Sequence, residues 1–180
     1  MTAAENIAEN VDVLDEEAEI EQEVEVKNEF LTFFLAKEEY GVDILRVQEI
    51  RGWESVTRIP NTPLYVKGVM NLRGAIVPVV DLRDRFGLEN AELTNTTVVV
   101  VLRVIVNESE KIVGIVVDGV SGVIEAAVSE VARSPEFGGD IKTEFISGLV
   151  NQNDVMVMLL DVEKLLASEC MSLEAETSDS

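Results

Sequence analysis

The 180 residues carry 35 Asp and Glu against 14 Lys and Arg, a formal net charge of −21, yet 47% of them are hydrophobic. With no histidine and a single cysteine, Cys170, the sequence offers no imidazole base, no Ser/His or Cys/His nucleophile pair, no His-ligated zinc and no internal disulfide. Strong acidity argues against a nucleic-acid backbone as partner, and neither Gly138-Gly139 nor Gly119 with Gly122 fits a phosphate-binding fingerprint.

The charge is unevenly spread. Residues 1–29 hold 11 acids and one lysine, and residues 167–180 hold four acids and no base, whereas 30–166 carry 20 acids and 13 bases. Residues 1–28 read as an acidic disordered tail, 29–166 as the folded domain and 167–180 as a second acidic tail. Residues 1–29 lack the apolar core of a signal peptide, and the longest apolar stretches, 98–102 and 155–160, fall far short of a membrane span.

From Phe30 the texture changes to short runs of β-branched and aromatic residues. Residues 30–36 predict a strand, Lys37-Glu38-Glu39 a turn, and 40–45 its hairpin partner, with 46–53 continuing extended. The segment 58–63 is a loop whose prolines, Pro60 and Pro63, forbid a regular element. Residues 66–72 and 75–80 are strands joined at Arg73-Gly74. A short helix capped by Asp81 and stopped by Gly87 follows. Residues 96–106 and 111–117 form another hairpin with Asn107-Glu108-Ser109-Glu110 at its tip. Residues 120–126 and 145–160 supply further strands, and Asp161 opens a second short helix over 161–166. This succession predicts an all-β barrel architecture.

An internal repeat organises these elements. At an offset of 80, Tyr65 meets Phe145, Gly68 meets Gly148, Asn71 meets Asn151, Val77 meets Val157 and Asp81 meets Asp161, with a Gly-to-Asp spacing of 13 in both copies. At an offset of 73, Gly41 meets Gly114, Val47 meets Val120 and Ile50 meets Val123. The reading is two related small barrels, one over roughly 38–87 and the other over roughly 97–166, with the strand at 30–36 joining one of them. The hairpin tips differ: Asn71-Leu72-Arg73-Gly74 in one copy, Asn151-Gln152-Asn153-Asp154 in the other. A tight turn does not require arginine, so Arg73 is either a solvated turn residue or an anchor for a partner. Val47 and Ile50 are either core or a partly exposed apolar patch among Gln48, Glu49 and Arg51. Trp53 fits a role covering the loop 58–63.

Several segments resemble, in order, the CheW adaptors of bacterial chemotaxis: 38–45 (EEYGVDIL), 47–52 (VQEIRG), 68–74 (GVMNLRG), 79–83 (VVDLR), 113–120 (VGIVVDGV) and 163–166 (EKLL). The resemblance spans about residues 29–168. It implies two SH3-like five-stranded barrels packed together with short helices, no catalytic residues, no metal and no cofactor. It further implies a cytoplasmic scaffold recruited to membrane-bound arrays, bridging the cytoplasmic tips of methyl-accepting chemoreceptors to the regulatory domain of the histidine kinase CheA. The sequence does not decide between an adaptor that also associates with itself in array rings and one that does not. By the same resemblance the receptor-binding positions are Val47, Glu49, Ile50 and Arg73, and the kinase-facing positions are Glu136 and Phe137. An adaptor of a non-motility chemosensory system would share these features. A CheV-like protein would need a receiver domain, for which no residues remain. A carboxylate-dependent enzyme would have to work with Asp81, Asp84 and Asp118, which helix capping and turn roles explain more simply.

Overall fold

The computed structural model describes residues 24–89, 92–133 and 143–168. Among these residues are ten strands: β1 (Lys27–Leu35), β2 (Glu38–Asp43), β3 (Val47–Gly52), β4 (Val66–Leu72), β5 (Ala75–Asp81), β6 (Val98–Val106), β7 (Ser109–Val117), β8 (Gly119–Ala127), β9 (Ile146–Gln152) and β10 (Val155–Leu160). A short helix α1 (Leu82–Arg85) follows β5, and a helix α2 at 162–168 follows β10. The capping chemistry is repeated: Asp81 Oδ1 accepts from the Arg83 amide at 2.9 Å and Asp161 Oδ1 from the Lys164 amide at 3.1 Å.

Three hairpins turn on two residues that both carry positive φ, at Arg73-Gly74, Asn107-Glu108 and Asn153-Asp154, the conformation whose twist matches that of the flanking strands. Asn71 and Asn151 earn their places in the repeat by bracing two of these turns, accepting from the amides of Gly74 (2.8 Å) and Asp154 (3.1 Å). Two hairpins are tighter than expected. Glu38 and Glu39 pair with Leu35 and Phe34, which leaves only Ala36 and Lys37 in the first turn. Ser109 and Glu110 likewise pair with Val106 and Ile105. A charged side chain that points to solvent does not interrupt a strand's backbone ladder, so polarity overstated both turns.

The strands form two five-stranded sheets in the orders β8-β1-β2-β10-β9 and β3-β6-β7-β5-β4. Isolated bridges Ala132↔Leu149 and Thr57↔Val69 tie the segments after β8 and β3 to β9 and β4, closing each sheet into a small barrel. The division of the chain at 38–87 and 97–166 is therefore corrected. The first barrel takes β1 and β2 from the first copy and β8, β9 and β10 from the second, and the other barrel takes the complement. Each copy gives its first hairpin to one barrel and its last three strands to the other. The joints are the parallel pairs Leu159↔Gly41 and Val79↔Gly114, equivalent under the repeat. Parallel pairing needs a long crossover, so local sequence cannot announce it. A side chain at Gly114 would put its Cβ 2.8 Å from Val99 Cγ1, and one at Gly41 3.0 Å from Leu159 Cδ2, which is why both joints carry glycine.

Both faces of the central strands are buried. On β6, Val99 and Val101 point into their own barrel with Met70, Leu72, Val77, Val79 and Val116, while Val100, Leu102 and Val104 point to the other barrel. On β1, Leu31, Phe33 and Leu35 do the same from the opposite side, meeting Ile115, Val117, Leu82, Leu165 and Leu166. The first barrel's own filling is smaller: Ala126, Val150, Val157 and Leu159. The largest core thus lies between the barrels and joins them into one body. Each fully buried Leu or Val there contributes on the order of 1.5–3 kcal/mol.

Tyr40 belongs to this shared core, stacked between Phe33 (6.3 Å) and Phe86 of the other barrel's helix segment (5.8 Å). Burial, and secondarily the charge of Glu38, raises its phenol pKa above the ordinary value. The neutral phenol is the folded state's form, so this contribution is complete below about pH 10 and is lost as pH rises toward the folded pKa. We expect the alkaline fall in stability between about pH 9 and about pH 11 to be shallower in Tyr40→Phe than in the wild type, as read from urea midpoints.

Candidate partner-binding site

β3 is an edge strand with a bulge. Val47 pairs with Leu102 and Glu49 with Val101, so Gln48 is the extra residue. Beyond the bulge the strand alternates, with Glu49 and Arg51 half-buried while Ile50 turns outward and is 44% exposed. Val47 packs against the core between the barrels. The two apolar positions therefore differ: one is anchored at the margin of the shared core, the other presented to solvent.

Barrel closure brings the β4–β5 turn to this strand. Arg73, at the turn and 82% exposed along its side chain, reaches Glu49, where Nη2 lies 3.0 Å from Oε2. On the other side Arg51 Nε is 3.9 Å from Glu49 Oε1, and its Nη2 is 3.8 Å from Glu54. One carboxylate, 20% exposed, thus faces two guanidinium groups beside an exposed isoleucine. Next to the turn Ile76 is 66% exposed, a neighbour that the sequence reading did not single out. Its signal was strand parity: Val77 and Val79 face the barrel interior, so Ile76 must face out. The arrangement offers an apolar contact flanked by a fixed charge pair, which suits protein recognition.

The repeat supplies a comparison. Val120 and Val123 take the positions of Val47 and Ile50, with the same bulge between Val120 and Gly122. Gly122 stands where Glu49 would be and Asn153 where Arg73 would be, so the charged pair exists on one barrel only. Glu136 and Phe137 lie outside the described residues. Trp53, partly buried, packs with Val56 against the core of the second barrel.

The three carboxylates considered for catalysis are engaged in structure. Asp81 caps α1 and pairs with Arg83 (3.3 Å), whose Nη1 lies 3.0 Å from Asp118 Oδ1. Asp118 Oδ2 accepts from the Ala36 amide at 2.7 Å, and Asp84 pairs with Lys67. Among the described residues no three Asp, Glu, Cys or His side chains are grouped to hold a metal ion, and no helix is long and apolar enough to cross a membrane.

Residues 29–170 match the family model described as a CheW-like domain. Chemotaxis protein CheW of Klebsiella aerogenes is 50% identical over 148 residues, covering 82% of this chain and 87% of the relative. CheW of Treponema pallidum is 36% identical over 141 residues, 78% of this chain and 83% of the relative. The crystal structure of the scaffolding protein TtCheW from Thermoanaerobacter tengcongensis superposes with a TM-score of 0.71 at 30% identity, covering 78% of this chain and 88% of that one. Repeat, double barrel and sequence similarity agree, and the chain belongs to the CheW family of chemotaxis coupling adaptors.

Proposed function

We propose that this adaptor joins the cytoplasmic tips of methyl-accepting chemoreceptors to the regulatory domain of the histidine kinase CheA, as a scaffold without chemistry of its own. The working unit is residues 29–166, between acidic flanks, located in the cytoplasm at membrane-bound receptor arrays. Copies of it associate with one another and with the kinase in rings. The receptor tip docks against Ile50 and Val47, and Glu49 and Arg73 set its register. Glu136 and Phe137 face the kinase.

The observation that carries this reading is the Glu49–Arg73 pair beside exposed Ile50, present on one barrel and absent from the equivalent place on the other. Two equivalent faces with different chemistry suit a protein that must hold two different partners. The test is a three-component assembly of this protein with a receptor signalling fragment and CheA. Arg73→Glu sets two carboxylates against each other and should weaken receptor binding by about 10–100-fold while changing kinase affinity less than about threefold. Phe137→Ala should show the reverse order. Equal losses in both arms, or losses that follow unfolding in circular dichroism, would refute the assignment.

A further inference from the structure

The two copies are intertwined, so each barrel is completed by strands from the other copy. That architecture carries a hazard. Two related halves that complete one another could also complete themselves, first copy with first copy or second with second, across two chains. The structure contains a device that tells the halves apart.

It lies where each copy's helix meets the other copy's crossover between barrels. α1 and α2 are equivalent at an offset of 80, which sets Arg83 against Glu163. α1 presents Arg83 to Asp118, at the crossover between β7 and β8, at 3.0 Å. α2 presents Glu163 to Arg46, at the crossover between β2 and β3, with Oε1 2.6 Å from Nη2 in a charge contact without hydrogen-bond alignment. The two pairs do the same job with opposite polarity. At this one position the first helix carries a base that meets an acid, and the second carries an acid that meets a base.

We infer that this reversed polarity enforces pairing between unlike halves and opposes association through like halves of two chains. If a first copy met another first copy, Arg83 would take the place of Glu163 and face Arg46. If second met second, Glu163 would take the place of Arg83 and face Asp118. The latter site is buried: the Arg83 side chain is 4% exposed and that of Asp118 21%. A like-charge contact there is therefore poorly screened. Attraction in the correct pairing is modest at the half-exposed Arg46–Glu163 contact, so the discrimination comes mainly from repulsion in the wrong one.

The full-length chain tests this. The charge exchange Arg46→Glu with Glu163→Arg retains an ion pair in the native arrangement. It also sets a base at this position of both helices and an acid at both crossovers, so like-half pairing loses its penalty. After refolding by dilution from urea at high protein concentration, the oligomer fraction measured by size exclusion with light scattering should rise on the order of fivefold over the wild type. The neutral double variant Arg46→Gln/Glu163→Gln serves as the comparison. Mere loss of stability predicts more oligomer from the neutral variant, which has no pair, than from the charge exchange, which keeps one. Discrimination by polarity predicts the opposite order, with the charge exchange highest, the neutral pair between and the wild type lowest. A neutral variant that oligomerises as much as or more than the charge exchange, or wild-type levels in both, overturns the inference.

Discussion

Gly68→Ala is expected to lower stability by about 3–6 kcal/mol, read as a shift of the urea unfolding midpoint, and to spoil the Arg73 face with it. Two independent causes act at this position. Gly68 has φ +142°, a region nearly closed to residues with a side chain, and a Cβ there would lie 2.1 Å from the carbonyl oxygen of Thr57. The obstructing atom is backbone and is held: the Thr57 amide donates to Val69 at 2.9 Å and the Val69 amide to Thr57 at 2.8 Å, the bridge that closes the barrel. Relief would require breaking that bridge, which would also separate the β4–β5 hairpin from β3. Two comparison variants divide the causes. Gly74→Ala has positive φ (+91°) with open space around the new Cβ and should cost only about 1 kcal/mol. Gly148→Ala, at the equivalent position of the repeat, meets the Val131 Cγ1 side-chain atom at 2.4 Å and the Ala132 carbonyl oxygen only at 3.2 Å, and should cost about 1–3 kcal/mol because its closest neighbour is a side chain rather than a carbonyl. If Gly68→Ala proved no worse than Gly74→Ala, the close approach at Thr57 would not be rigid.

Arg83→Met should cost about 3–5 kcal/mol, because it leaves the Asp81 carboxylate, 6% exposed, without its cationic partner. Asp118 suffers less, since it keeps the Ala36 amide and some water. The cost belongs mainly to the orphaned charge, so Arg83→Met combined with Asp81→Asn should recover part of it. Asparagine still caps α1 and carries no charge. The comparison is Arg46→Met: it breaks the pair with Glu163, whose side chains are 32% and 38% exposed, and should cost no more than about 1 kcal/mol under the same measurement. A similar loss at both positions would mean that burial does not govern these two contacts.

The sequence carried the local structure well. Two-residue turns at Arg73-Gly74 and Asn153-Asp154, caps at Asp81 and Asp161, and the strands flanking them follow from positive-φ residues, capping carboxylates and strand parity, all written within a few neighbours. It also carried the repeat, because residues such as Gly68, Asn71 and Asp81 answer to backbone requirements that both copies share. It erred at Glu38-Glu39 and Ser109-Glu110, where acidic side chains on a solvent-facing ladder resemble a turn, and at 44–46, where a strand was expected and Asp43 instead caps a short helical turn. The candidate site was half legible. Arg73 stood out because a turn has no need of it, but its partner Glu49 is 24 positions away and only barrel closure makes them neighbours.

By itself, then, the sequence determined the elements, the repeat and the exclusion of histidine and disulfide chemistry, since these depend on composition and short-range geometry. Only the tertiary structure decided which strands pair. Alternation with period two tells a strand which side to bury and says nothing about its neighbour, so the exchange of hairpins between the copies was not visible in either copy alone. The same holds for charge. Arg83 and Glu163 are two residues among many charged ones until the fold sets each against the opposite charge on the other half of the chain.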